Sequence, residues 1–360
     1  MATTIAAGYL ARGGGVVTTS SGNIYVFWAD TSYIYAYKST DGGSSFSSVA
    51  SAESVNIHGS GSNIGSIDIA IDSDGYIHVA SNARNTDTRD TAYCLFNTSN
   101  DTFGTWEEAA AGSKYVANTG VSISIDSNKK PHILFVIVEA NMGTDYHRIY
   151  YTNKVSGSWA TPTMINTGTT KSYYYPGFTV RNSNYLEAIY GDANPMYFYR
   201  TYTTSWEAEN YWADAAYSKG IRSITAKSDG TVYRYGRDFN SPQNVEENDS
   251  QLGVADAYTG ADPSYGANLT GSTRYLFRVD NTDRDIYVYI NSGTGWNQSV
   301  LETGTYYRII TEWAYNFEYQ SNRINYIFDD NTNIYFNYYS LAQPKSLVSN
   351  PQSRKTYLRM

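Results

Sequence analysis

The chain is predicted to be all-β, a β-propeller of about seven four-stranded blades, with six if an irregular fifth unit merges with its neighbour. Three observations carry that prediction. Tyr contributes 37 of 360 residues and aromatics 16%, whereas Pro numbers 8 and charged residues are only 17%, which is β-rich, turn-rich chemistry. A small or polar pair followed by an apolar strand recurs seven times, at Ser21-Gly22, Asp74-Gly75, Asn128-Lys129, Asn182-Ser183, Asp229-Gly230, Gly271-Ser272 and Ser321-Asn322. Counted on the second residue of each pair, the intervals are 53, 54, 54, 47, 42 and 50 residues, the period of a propeller blade rather than of a β-sandwich pair or β-helix. A third strand rich in Tyr then follows in most units: "YIYAYK" at 33, "AYCLFN" at 92, "RIYYTN" at 148, "MYFYRTY" at 196, "DIYVYIN" at 285 and "NIYFNYY" at 333.

The first unit is the cleanest. Its alternating run from Tyr33 to Lys38 enters Ser39-Thr40-Asp41-Gly42-Gly43-Ser44-Ser45-Phe46. The Asp41 carboxylate is placed to accept from turn amides, Gly43 to supply positive φ and Phe46 to fold back as an apolar plug. This stretch resembles the Asp-box of the sialidase-like, or BNR-repeat, β-propellers. The resemblance implies a turn between the third and fourth strands of a blade. A second box keeps Ser99, Asp101, Thr102 and Trp106 but moves its glycine by one place, to Gly104. Later copies keep only a Gly and an aromatic, as in "VSGSW" and "NSGTGW".

Two segments break the pattern. The fifth unit lacks a clear Tyr-rich third strand and runs through Glu246, Glu247, Asp249, Asp256 and Asp262, which reads as a blade with a long acidic connection. Ser205 to Gly220, rich in Glu and Ala and ending in Gly, reads as one or two helical turns. A fourth strand for the last unit must come from the N-terminal segment Thr3 to Leu10 or from the C-terminal tail, and either closes the ring. The domain reading is a single propeller over 1–343 and a basic tail over 344–360 with Lys345, Arg354, Lys355 and Arg359.

Composition also excludes classes of function. A net charge of -8 argues against bulk binding to nucleic acid or anionic membrane. Cys94 is the only cysteine, so there is no intrachain disulfide, and its mid-strand position reads as a buried small apolar residue. The start "MATTIAAGYLARGGG" lacks a basic stretch before a long apolar core, and no run of about 18 apolar residues occurs. The expectation is a soluble protein made in the cytoplasm without a Sec signal.

Candidate chemistry sits on one face, formed by the loops after the second strands and between blades. Asp30, Asp192, Asp238, Asp280 and Asp329 each fall seven to nine residues after the turn reference. They read as Asx-type turns or, more sharply, as a ring of carboxylates suited to a hard cation or sugar hydroxyls. The long connections of units two and three add Arg84, Asp87, Arg89 and Asp90, and Glu139, Asp145, His147 and Arg148, as glycan-holding groups or solvated loops. His78 and His132 occupy equivalent places in neighbouring units, which favours hydrogen-bonded structural histidines over metal ligands. No Cys pair, His-Glu-x-x-His, EF-hand loop, Gly-x-Ser-x-Gly elbow, Walker loop or dinucleotide fingerprint is present. No metal or cofactor is therefore assigned, and a bound Ca²⁺ has no sequence support.

The sialidase resemblance implies three arginines on a substrate carboxylate, a tyrosine nucleophile activated by glutamate, an aspartate acid/base and an early Phe/Tyr-Arg-Ile-Pro motif. Only Arg12, in "YLARGGG", stands early, and that motif is missing. The fold carries over and the active site does not. The functional expectation is a noncatalytic recognition or assembly module that binds a glycan or a partner protein. The Tyr, Asn, Ser and Gly bias is similar to that of tailed-bacteriophage virion proteins, which implies work in a virion or other extracellular assembly. The alternative is a glycoside hydrolase, sialidase-like or using Glu139 and aspartates near it.

Overall fold

A computed structural model describes residues 2–10, 12–59, 62–84, 91–110, 120–141, 144–167, 173–182, 185–192, 196–214, 223–226, 231–238, 243–247, 250–256, 265–270, 273–279, 283–292, 295–311 and 323–341. Its strands form seven antiparallel sheets in chain order. Sheet one holds Gly14–Thr18, Ile24–Ala29, Tyr33–Ser39 and Ser47–Glu53; sheet two holds Asn63–Ile71, Ile77–Arg84, Thr91–Asn97 and Glu107–Ala110, with Thr102–Phe103 added to the third strand. Sheet three holds Val121–Ile125, Pro131–Asn141, Thr144–Asn153 and Thr163–Met164; sheet four holds Tyr173–Asn182, Tyr185–Asp192, Met196–Tyr202 and Asn210–Asp214. Sheet five holds Ser223–Ala226, Val232–Asp238, Gln243–Glu247 and Ser250–Asp256, and sheet six holds Tyr265–Thr270, Thr273–Val279, Ile286–Asn291 and Trp296–Glu302. Sheet seven combines Arg308–Thr311, Arg323–Asp329 and Asn333–Ser340 with the N-terminal strand Thr3–Ala7, so the chain's start supplies the outer strand of its last sheet.

The first strand of each sheet packs beside the first strand of the next, and that of sheet seven returns to sheet one. This closed ring of radially arranged sheets is a β-propeller. Its core lies in the seams. In sheet one the second strand, "IYVFWA", is buried throughout, while the third alternates, with Ile34 and Ala36 inward and Tyr33, Tyr35 and Tyr37 half-exposed, the two-residue period of a strand. Between sheets one and two Phe27 meets Phe96 edge-on at 5.1 Å and Phe103 at 6.0 Å, with Cys94 fully buried beside them. Tyr151, Phe178 and Trp206 fill the seam of sheets three and four, and Phe277, Tyr326 and Tyr339 that of sheets six and seven. Each such ring removes enough apolar surface from water to contribute roughly 1.5–3 kcal/mol.

Three expectations need correction. In the fifth unit the acids lie in strands of a four-stranded sheet instead of a connection, with Glu246 and Glu247 inside its third strand, Asp256 ending its fourth and a register shift between Asn244 and Glu246. Those acids had masked a strand because a polar, Tyr-poor stretch still pairs when both neighbours offer backbone groups. Within Ser205 to Gly220, Asn210–Asp214 is a strand on Met196–Tyr202 instead of a helix; 215–220 lie outside the described residues. The long connection of unit three is a hairpin, in which Pro131–Asn141 and Thr144–Asn153 pair through to Asn141 opposite Thr144. Among the described residues the one helix is Ser54–His58, and none is long and apolar enough to cross a membrane. The basic tail lies outside the described residues.

Candidate functional site

The two faces of the ring use their carboxylates differently. On the face formed by the first turns and the third-to-fourth turns, the box of sheet one is closed on itself. Ser39 Oγ donates to Asp41 Oδ1 at 2.7 Å, Gly43 N to Ser39 Oγ at 2.8 Å, and Ser45 N and Oγ to Asp41 at 3.0 and 2.6 Å. The Ser45 hydroxyl first, then its amide and Ser39, hold Asp41 well below the usual carboxylate range. Gly43 has φ +95°, and a Cβ there would lie 2.1 Å from the Phe336 ring, against which Phe46 packs at 5.0 Å.

The second box does not repeat this. With its glycine displaced, Asp101 itself takes φ +57° and turns its carboxylate to sheet one, accepting from Tyr25 Oη at 2.6 Å and Lys38 Nζ at 2.9 Å. Ser99 bonds Asn97, and Trp106 is buried against Phe103. His78 and His132 are structural, each buried between a tyrosine and an aspartate. Tyr93 Oη lies 2.8 Å from His78 Nδ1 and Asp72 Oδ2 3.2 Å from its Nε2; Tyr151 Oη lies 2.7 Å from His132 Nδ1 and Asp126 Oδ2 3.5 Å from its Nε2. Asp72 and Asp126 were legible as the shared Ile-Asp-Ser of both units.

On the loop face, Asp30 takes the Asx-turn alternative. Asp30 Oδ1 accepts from the amides of Ser32 and Tyr33 at 2.7 Å each, and Oδ2 from Tyr35 Oη at 2.9 Å. The counterpart in sheet seven is Asp330, not Asp329: Asp330 accepts from Thr332 N, Asn333 N and Tyr335 Oη at 2.8, 2.7 and 2.8 Å. The shared signal is Asp-x-x-(Tyr/Asn)-Ile-Tyr. In sheet six Asp283 bonds Asp285 N and Tyr287 Oη at 2.9 and 2.5 Å, while Asp280 lies outside the described residues, as do Asp87, Arg89 and Asp90. Asp192 and Asp238 remain within strands, opposite Tyr173 and Asn244. Glu139 and Asp145 are strand positions opposite Tyr146 and Ala140, and Arg84 ends a strand opposite Asn63. No group of three His, Cys, Asp or Glu side chains placed to hold a metal occurs among the described residues.

Asp329 has a different task. It is fully buried and accepts from Leu10 N at 3.1 Å, Asn331 N at 2.9 Å and Arg308 Nη1 at 3.3 and 3.4 Å. Arg308 opens the first strand of sheet seven, and its side chain is 32% exposed. Its Nη1 also donates to Asn331 Oδ1 at 3.1 Å, and its guanidinium lies over the exposed Tyr9 ring at 5.9 Å. Its Nε and Nη2 make no hydrogen bond among the described residues. Beside it, the connection from sheet six is pinned by Gly304 N on Asp285 Oδ1, Tyr306 N on the Arg284 carbonyl and Tyr307 N on the Asp329 carbonyl, with Arg284 over the Tyr307 ring at 4.9 Å. Arg308 was missed in the sequence because nothing local marks it; its geometry comes from Asp329 and the distant Tyr9.

This face also holds a tyrosine–glutamate pair, Tyr33 Oη to Glu53 at 2.5 Å. The hydrogen bond to Glu53 raises the phenol's pKa, and burial followed by the Asp30 bond raises that of Tyr35 to about 12. Both phenols are donors that keep their protons. No arginine is bonded to either member of the pair among the described residues.

No family model matches the chain, and no curated protein matches it. Solved structures do. A Hadza microbial sialidase, Hz136, aligns with TM-score 0.50 at 13% identity over 93% of this chain and 68% of its own. A Penicillium chrysogenum α-L-arabinanase complexed with arabinobiose aligns with TM-score 0.51 at 13% identity over 94% and 98%. The polysaccharide lyase Uly1 aligns with TM-score 0.53 at 10% identity over 91% and 90%. At these identities the likeness is one of fold: the chain has the propeller architecture seen in carbohydrate-active proteins.

Proposed function

We propose that this protein is a noncatalytic recognition module, its seven sheets taken as seven blades, that binds a glycan through the loop face of sheets six, seven and one. The observation that carries the reading is Arg308. Its guanidinium is fixed by Asp329 and Asn331 and backed by Tyr9, while Nε and Nη2 remain as a parallel donor pair at a half-exposed position. A planar fork beside an exposed aromatic ring is suited to oxygen-rich, ring-shaped ligands, through donated hydrogen bonds and stacking. Tyr306, Tyr307 and Arg284 extend the same surface. The fold likeness to a sialidase, an arabinanase and a polysaccharide lyase supports a carbohydrate setting.

The proton-holding Tyr33 and Tyr35, and aspartates consumed by their own turns, favour binding over turnover. Composition supports work in an exposed assembly of the tailed-phage virion kind, with a surface or virion protein as a further partner and no cofactor. The competing reading is a glycoside hydrolase, favoured by the sialidase and the arabinanase among the similar structures. A glycan array run beside a hydrolysis screen on fluorogenic sugars tests the choice. Binding reduced at least about 10-fold by Arg308→Ala, without turnover, is expected, the loss of one charge-assisted contact. Turnover abolished by changing loop-face carboxylates would overturn it.

A further inference from the structure

The geometry points to Asp329 as the element that couples the ligand face to closure of the ring, an inference that rests on Arg308 being the binding group. Two structures converge on this one buried carboxylate. From the inside, Arg308 Nη1 reaches both of its oxygens. From the outside come residues 8–10 and 12–13, a strap lying between the N-terminal strand and the first strand of sheet one on the loop face. Leu10 N donates to Asp329 Oδ2, Gly8 N to the Thr332 carbonyl at 2.8 Å, and Ile67 N to the Arg12 carbonyl at 2.7 Å. The strap lies flat on Trp28, where a Cβ on Gly8 would come within 2.6 Å of the indole. It also carries Tyr9, the ring under the Arg308 guanidinium.

A buried carboxylate is tolerated only while its cation and amide donors stay in place. Loss of Arg308 leaves the buried Asp329 carboxyl short of donors, and lifting the strap admits water to it. Lifting the strap, in turn, removes Leu10 N and Tyr9 and frees Arg308 to swing. The two states are therefore linked reciprocally. A ligand that takes Nε and Nη2 while leaving Nη1 on Asp329 tightens the seating of Thr3–Ala7 in sheet seven. Displacement of that strand by another segment disassembles the binding surface.

Hydrogen exchange and chemical labelling test this without a ligand. Arg308→Gln and Asp329→Asn are expected to speed exchange at the Leu10 amide, and at those of Thr3–Ala7, at least about 10-fold, the signature of local opening. Asp101→Asn, in the turn of sheet two and paired with Tyr25 and Lys38, leaves these amides unchanged. In the reciprocal arm Ile5→Asp unseats the N-terminal strand, and modification of Arg308 by phenylglyoxal, located by mass spectrometry, is expected to accelerate several-fold. Should Asp329→Asn fail to fold, Arg308→Gln decides. Unchanged Leu10 exchange in Arg308→Gln, or unchanged Arg308 labelling once exchange shows the strand released, would overturn the coupling. A silent glycan array with both effects present would sink the glycan reading and leave the coupling standing.

Discussion

Asp41 and Asp329 stand on opposite faces of the ring, one exposed in a turn and the other fully buried, and both have their oxygens filled by protein donors. The donors differ in reach. The Asp41 carboxylate is satisfied within four residues of itself, and its turn meets sheet seven through the Gly43 and Gly42 carbonyls, which accept from Thr3 Oγ1 and Arg323 Nη1 at 2.9 Å each, and through Phe46 on Phe336. Asp329 gathers a guanidinium, a neighbouring amide and an amide 319 residues away, and one of its donors, Arg308, still has a free edge. A carboxylate satisfied locally builds a rivet. One satisfied at long range holds a surface in shape and leaves chemistry exposed on it.

The sharpest way to break that contrast is Asp329→Ala, which leaves the Leu10 amide buried and Arg308 without its counter-ion. A loss of about 1–3 kcal/mol is expected in denaturant unfolding, the scale for leaving a buried donor unsatisfied, with the one-third-exposed Arg308 still reaching water. Gly43→Ala tests the rivet side. Positive φ and the Phe336 clash should cost roughly 1–3 kcal/mol or more, visible as a lower melting temperature. Smaller still is Asp101→Asn, which weakens a partly exposed pair with Lys38 across the seam of sheets one and two. Its expected effect is about 0.2–1 kcal/mol, reduced further by salt.

Asp41 sharpens the comparison through pH. Its folded pKa lies below the unfolded value, so its contribution is present above the unfolded carboxylate pKa and is lost as pH falls through the folded one. Thermal unfolding of Asp41→Asn should therefore lose less stability than the parent on acidification below about pH 4. An identical acid dependence of parent and variant would show that the turn's bonds do not stabilise the fold.

The same distinction explains what could be read from the sequence. Strand periodicity, the Ser39 to Phe46 turn, buried Cys94 and the structural histidines are local patterns, written within a few residues of where they act. In the second box the displaced glycine, a single position, moved positive φ onto Asp101 and directed its carboxylate to another sheet, a consequence the spacing alone does not reveal. Asp329 and Asp330 differ by one place in the chain, yet one is buried in the ring closure and the other caps a turn. Spacing from a turn locates an aspartate to within a residue or two, and that margin separates the two tasks. Arg308 had no local signature, since its orientation is set by Asp329 and Asn331 on the neighbouring hairpin and by Tyr9 from the chain's other end.

The most direct test of the claim that recognition resides on the loop face is a glycan-array comparison of the parent protein with Arg308→Ala, Tyr9→Ala and Asp41→Asn. The account predicts that the first two lose binding by about 10-fold or more while Asp41→Asn retains it. Binding that survives Arg308→Ala and Tyr9→Ala but disappears with Asp41→Asn would place recognition on the opposite face and contradict the account.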